Sequence, residues 1–113
     1  MTTIILDNVK MNVIQTAPNG VVNALTIFTF SQKDSFVSAA YSGGPIFKGF
    51  LVGTIDGNKL LFSYCQLQTD GKMDHGQSEC EITIDADGKI RLTESFTWAT
   101  KEDATGINIF REL

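Results

Sequence analysis

Lys89-Ile90-Arg91-Leu92-Thr93-Glu94-Ser95-Phe96-Thr97-Trp98 changes character at every step. Ile90, Leu92, Phe96 and Trp98 fall on one parity with Glu94, and Lys89, Arg91, Thr93, Ser95 and Thr97 on the other. A period of two places alternate side chains on opposite faces of an extended chain, so the stretch reads as a β-strand with one buried face. Downstream, Ile107, Ile109, Arg111 and Leu113 share a parity in the same way. A four-residue loop at 101–104 then sets Thr100 against Thr105. Counting back, Trp98 meets Ile107, Phe96 meets Ile109, Glu94 meets Arg111 and Leu92 meets Leu113. The only two charges on the inward face of this hairpin thus fall opposite each other. A lone buried charge is costly and a hydrogen-bonded pair tolerable, so the sequence predicts an inward Glu94–Arg111 ion pair that closes the core or anchors a ligand's polar end.

The same logic extends upstream. Turn-forming clusters recur at short intervals: Pro18-Asn19-Gly20, Lys33-Asp34, Gly43-Gly44-Pro45, Asp56-Gly57-Asn58, Asp70-Gly71, Asp87-Gly88 and Lys101-Glu102-Asp103. Asn-Gly and Asp-Gly supply the positive φ that tight hairpins need. Between them lie eight candidate strands, at about 9–17, 23–32, 35–42, 46–56, 59–69, 76–85, 89–100 and 105–113. No window keeps the i, i+3, i+4, i+7 spacing of an amphipathic helix. Short loops make each strand pair antiparallel with the next. An eight-strand meander has two bare edges unless it closes, so the expected fold is an all-β, up-and-down barrel formed as one domain over residues 1–113. An open sheet or a two-sheet sandwich is the alternative. A barrel of this size is filled by its own side chains or holds one small ligand.

Composition bounds the partners. The 113 residues are 42% hydrophobic, with a net charge of −4. The nine Lys and Arg are scattered singly, which argues against nucleic acid and lipid headgroups. No apolar run reaches membrane-span length, and the first residues lack the basic start of a secretory signal, so the expectation is a cytoplasmic chain with no membrane partner. Cys65 and Cys80 are too few for a disulfide framework and fit no zinc spacing. The fifth strand is ambiguous: Leu60, Phe62 and Tyr64 share one face, Leu61, Cys65 and Leu67 the other. Two buried aromatics outweigh two buried thiols. The favoured register therefore sets Phe62 near Ile84 and Tyr64 near Ile82, with Cys80 inward, Cys65 outward and no disulfide.

Two strands carry more apolar surface than a barrel interior needs: Leu25, Ile27, Phe28 and Phe30 in the second, and Ile46, Phe47, Phe50, Leu51, Val52 and Ile55 in the fourth. The surplus points to a homodimer or higher homo-oligomer. Gly49 and Gly53 read as sites of bending or close backbone approach.

The run Tyr41-Ser42-Gly43-Gly44-Pro45-Ile46-Phe47-Lys48-Gly49-Phe50-Leu51-Val52-Gly53, with the Asp70-Gly71 turn and Leu92-Thr93-Glu94-Ser95-Phe96-Thr97-Trp98, resembles a group of small bacterial proteins with an avidin-like, calycin-type barrel. The resemblance covers almost the whole chain and implies the barrel architecture and a ligand-holding interior. Members of that group are often labelled N-acetylglutamate synthases. An acetyltransferase of the usual fold needs a Gln/Arg-x-x-Gly-x-Gly/Ala loop opening a helix, and this sequence has neither. Avidins surround biotin with several tryptophans, whereas this chain has only Trp98, so biotin binding is not carried over.

Other chemistry is sparse. His75, the only histidine, sits in an apparent turn, Asp74-His75-Gly76, and reads as surface. Asp85-Ala86-Asp87-Gly88 lacks the distal ligands of a calcium loop. The amides of Ser42-Gly43-Gly44 fit a hairpin turn better than an anion nest. A lone inward acid, Glu94, does not make the carboxylate pair of a glycosidase. The expectation is a non-enzyme without cofactor or metal. Its leading function is binding a small apolar ligand in an interior lined by Phe62, Tyr64, Phe96 and Trp98, anchored by Glu94 and Arg111. The alternative is a filled barrel serving as a structural or interaction module.

Overall fold

In a computed structural model, residues 5–18, 21–98 and 105–113 are described, except the side chains of 96–98 and 105. Eight antiparallel strands close into one barrel in sequence order: β1 Lys10–Gln15, β2 Ile27–Lys33, β3 Phe36–Gly43, β4 Ile46–Asp56, β5 Lys59–Gln68, β6 Met73–Ile84, β7 Ile90–Trp98 and β8 Thr105–Glu112. β1 seals the barrel against β8, with Met11 opposite Glu112 and Val13 opposite Phe110. No strand edge is left bare, which removes the template for edge-to-edge association. Among the described residues no helix is long and apolar enough to cross a membrane.

Turn chemistry placed most strand ends to within a few residues. Gly57 and Gly88 take positive φ in their tight turns, as does Gly71 in the β5–β6 connection. Two starts differ by more: β2 begins at Ile27 rather than 23, and β6 at Met73 rather than 76. Asp74, His75 and Gly76 are strand residues: Asp74 is buried and His75 exposed on the outer face. A polar residue at the start of an inward face looks like a turn when only hydrophobicity is read.

The principal correction concerns β8. Thr97, not Thr100, lies opposite Thr105, so Glu94 faces Asn108, Leu92 faces Phe110 and Phe96 faces Gly106. The predicted 101–104 turn lies outside the described residues. The register is shifted by three, and an odd shift exchanges the two faces of a strand. Asn108 and Phe110 therefore point inward, while Ile107 is exposed and Arg111 points outward. The Glu94–Arg111 ion pair does not form. Arg111 instead donates to Asp85 at 2.7 Å and Asp87 at 3.0 Å, in the β6–β7 turn. At the surface the guanidinium keeps part of its water beside its acids, so less desolvation is needed than for an ion pair enclosed in the core.

The face assignment of β5 and β6 stands: Cys80 is buried, Cys65 is exposed and both are free. Their register differs, with Phe62 opposite Ser78 and Tyr64 opposite Gly76 rather than Ile84 and Ile82. Gly49 and Gly53 are close-approach sites. A methyl group on Gly49 would overlap the Tyr41 ring, and one on Gly53 would strike Leu61 and Phe62.

The interior divides along the barrel axis. Toward the end that carries the β2–β3, β4–β5 and β6–β7 turns it is apolar, with Met11, Phe30, Leu60, Ile82 and Leu92 buried. Leu6 plugs this end, its backbone N–H donating to Gln32 Oε1 at 2.8 Å.

Candidate functional site: a polar chamber in one half of the barrel

The other half of the interior is polar. Gln66, Asp74, Ser78, Glu94 and Asn108 are buried there with Tyr41 and Tyr64. Each sits on the inward parity of its strand. Tyr41 belongs to β3, Tyr64 and Gln66 to β5, Asp74 and Ser78 to β6, Glu94 to β7 and Asn108 to β8.

Two hydrogen-bonded groups organise them. In the first, Tyr41 and Gln66 both lie opposite Gly49, one on each side of it. The missing side chain lets the Tyr41 ring lie over Gly49 and its hydroxyl donate to Gln66 Oε1 at 2.9 Å. Gln66 Nε2 in turn reaches Asp74 Oδ2 at 3.5 Å, and Gln68 Nε2 donates to the same oxygen at 2.7 Å.

In the second, Glu94 is the centre. Ser78 Oγ lies 2.6 Å from Oε2, and Asn108 Nδ2 donates to Oε1 at 3.0 Å. Asn108 Oδ1 accepts the Ala17 backbone N–H at 2.9 Å, which fixes the amide's orientation. Burial pushes the Glu94 carboxyl above its ordinary range, against the lowering effect of Ser78 and Asn108. In the protonated acid the proton belongs on Oε2, pointing to Ser78, because Oε1 is committed to the Asn108 amide.

The Tyr64 hydroxyl is buried and has no hydrogen-bond partner among the described residues. Burial also raises the Tyr41 and Tyr64 hydroxyls, so both stay protonated. Tyr64 lines a cavity of about 20 Å³ together with Tyr41, Gln66, Glu94, Asn108 and the rings of Phe28, Phe62 and Phe110. That volume accommodates roughly one water molecule. Val21 and Val22 close it from the β1–β2 connection. This connection is tied down at both ends: Ala17 by Asn108, and Thr26 by its hydroxyl's bond to Gly43 O at 3.0 Å. Gly43 adopts φ 114°, and a Cβ there would collide with Leu25 O.

The model for the avidin-like protein family matches residues 4–113. The chain belongs to the avidin-like family. No curated protein and no solved structure matches it.

Of the residues expected at a site, this avidin-like barrel brings Phe62, Tyr64 and Glu94 around one cavity. Arg111 is on the outer surface. The backbones of Phe96 and Trp98 pair with Ser78 and Gly76, but their side chains lie outside the described residues. Sequence reading missed Tyr41, Gln66, Asp74, Ser78 and Asn108. Parity could have found some of them: Gln66 follows Tyr64 by two positions and Asn108 precedes Phe110 by two. Among the described residues, no group of three His, Cys, Asp or Glu side chains is placed to hold a metal ion.

Proposed function

We propose that this protein is a non-enzymatic small-molecule binder whose site is the polar chamber around Glu94. The observation that carries the reading is the Tyr64 hydroxyl, buried and unpartnered beside a cavity. Buried polar atoms are nearly always satisfied, and one left open at the wall of a void marks the place of a water or a ligand atom. Membership of the avidin-like family supports a small ligand. The ligand is not purely apolar, because five buried polar side chains and two tyrosines converge on this half of the interior. At about 20 Å³ the chamber takes only a head group. The rest of the molecule would displace Val21 and Val22, the two covering side chains that come from a connection rather than a strand.

Native mass spectrometry of freshly purified protein, followed by thermal-shift screening of small amides, amines and acids, tests this reading. We expect a non-covalent adduct or a compound that raises Tm, with the effect lost in Y64F or E94Q. A bare chain mass together with no stabilising compound overturns it.

A second reading is favoured by the outer surface. Three rows of cross-strand partners, Phe36–Thr54–Leu61, Ser38–Val52–Ser63 and Ala40–Phe50–Cys65, contain no charge. Phe36, Phe50, Val52 and Leu61 are each more than half exposed there. Such a face suits contact with a second copy of the chain, and it is compatible with a barrel that holds only water.

A further inference from the structure

We infer that the group held in the chamber is a small cation, an ammonium or methylammonium-type amine head lying between Glu94 and the aromatic walls. The inference rests on the interior-site reading above and adds the ligand's chemical class.

The argument is a count of free donors and acceptors. Tyr41 spends its proton on Gln66, leaving its oxygen as an acceptor. Asn108 spends one of its two amide protons on Glu94 and its carbonyl oxygen on Ala17. Gln66 uses its oxygen for Tyr41 and one of its two amide protons for Asp74. Each Glu94 oxygen has one partner and retains a second lone pair. Among the described residues, the free acceptors on the cavity wall are the two Glu94 oxygens, Tyr41 Oη and Tyr64 Oη, and the free donors are the Tyr64 hydroxyl proton and one amide proton each of Asn108 and Gln66. A ligand group rich in N–H donors finds partners in the four acceptors, of which the Glu94 pair alone can carry charge.

Charge points the same way. Among the described residues, the lining includes one acid and no Lys, Arg or His. The other titratable groups on the inward face around Glu94 are Tyr41 on β3, Tyr64 on β5, and Asp74 and Cys80 on β6; burial raises the two tyrosines and the thiol, so these three remain neutral, while Asp74 is engaged by Gln66 and Gln68 and Glu94 is the acid at the cavity wall. An entering ammonium supplies the missing counter-charge. Glu94 then gives up its Oε2 proton to solvent, and Ser78 turns its hydroxyl to donate to the carboxylate. The rings of Phe28, Tyr41, Phe62, Tyr64 and Phe110 supply much of the remaining wall, and aromatic rings attract a desolvated cation. An ammonium group has the size of the water that the cavity accommodates.

The test is an NMR titration of the intact chain with methylammonium chloride, alongside acetamide, sodium acetate and sodium chloride. The reporters are the Asn108 side-chain amide and the Ala17 backbone amide, the two N–H groups of the Glu94 network. We expect saturable shifts with methylammonium alone, at a Kd on the order of 10 mM, near the ceiling for a ligand of two heavy atoms. E94Q, which preserves both hydrogen bonds, should abolish the shifts. Saturation by acetamide at least as tight as by methylammonium overturns the cation and leaves the interior site standing. Unchanged methylammonium binding in E94Q also overturns it. No saturable shift from any probe overturns both. The comparison among probes is made on the unaltered protein, so the test holds even if E94Q folds poorly.

Discussion

Glu94 is buried without a charged partner among the described residues, and its raised pKa couples ionisation to folding. The folded state holds the proton more tightly than the unfolded one. The contribution is therefore fully present below the ordinary glutamate range and is lost as pH rises through the folded-state value. The protein should lose stability on going from mildly acidic toward alkaline pH. E94Q mimics the protonated acid, accepting from Asn108 and donating to Ser78, and urea melts across pH should show that slope flattened. E94A leaves Asn108 and Ser78 without their partner, and should cost about 1–3 kcal/mol in the same melts. A second residue-scale expectation concerns Gly49. G49A forces a methyl group into the Tyr41 ring and should cost roughly 1–3 kcal/mol.

At the scale of elements, the β7–β8 hairpin decides what Glu94 touches. The alternation in β7 was legible, and Leu92 and Glu94 are buried as it requires. β8 was misleading because both of its parities carry apolar residues: Ile107 and Ile109 on one, Phe110 on the other. Hydrophobicity favoured the isoleucines. Register follows the connection, however, and Thr97 pairs with Thr105. The same limitation hid Asp74, whose charge argued against an inward strand position. An apolar-inside rule locates an apolar interior, and here it located half of one. The polar half breaks the rule, so its members were missed apart from Glu94 and the two aromatics Phe62 and Tyr64, although parity alone reaches Gln66 from Tyr64. The observed register has a mutational signature. N108A removes the donor to Glu94 and the acceptor for Ala17, and should destabilise by about 2–3 kcal/mol. R111A loses only outer contacts with Asp85 and Asp87 and should change Tm little, an effect reduced further by salt. The reverse order in thermal melts would restore the inward arginine.

The whole molecule combines a closed barrel, a polar chamber at one end and, across β3, β4 and β5, three uncharged outer rows bordered by Lys48. If that face seats a second copy, light scattering at rising concentration should report growth beyond the monomer mass, and V52E or F50E should return it to the monomer. A monomer at every concentration would end the interface reading without touching the chamber. The chamber depends on Glu94 being buried against Asn108 instead of paired with Arg111, and these arrangements drive its pKa in opposite directions. Carboxyl ¹³C NMR across a pH series of the free protein, with E94Q to assign the signal, reads that directly. The account predicts a Glu94 midpoint above that of an ordinary glutamate; a midpoint at or below the ordinary value would contradict it.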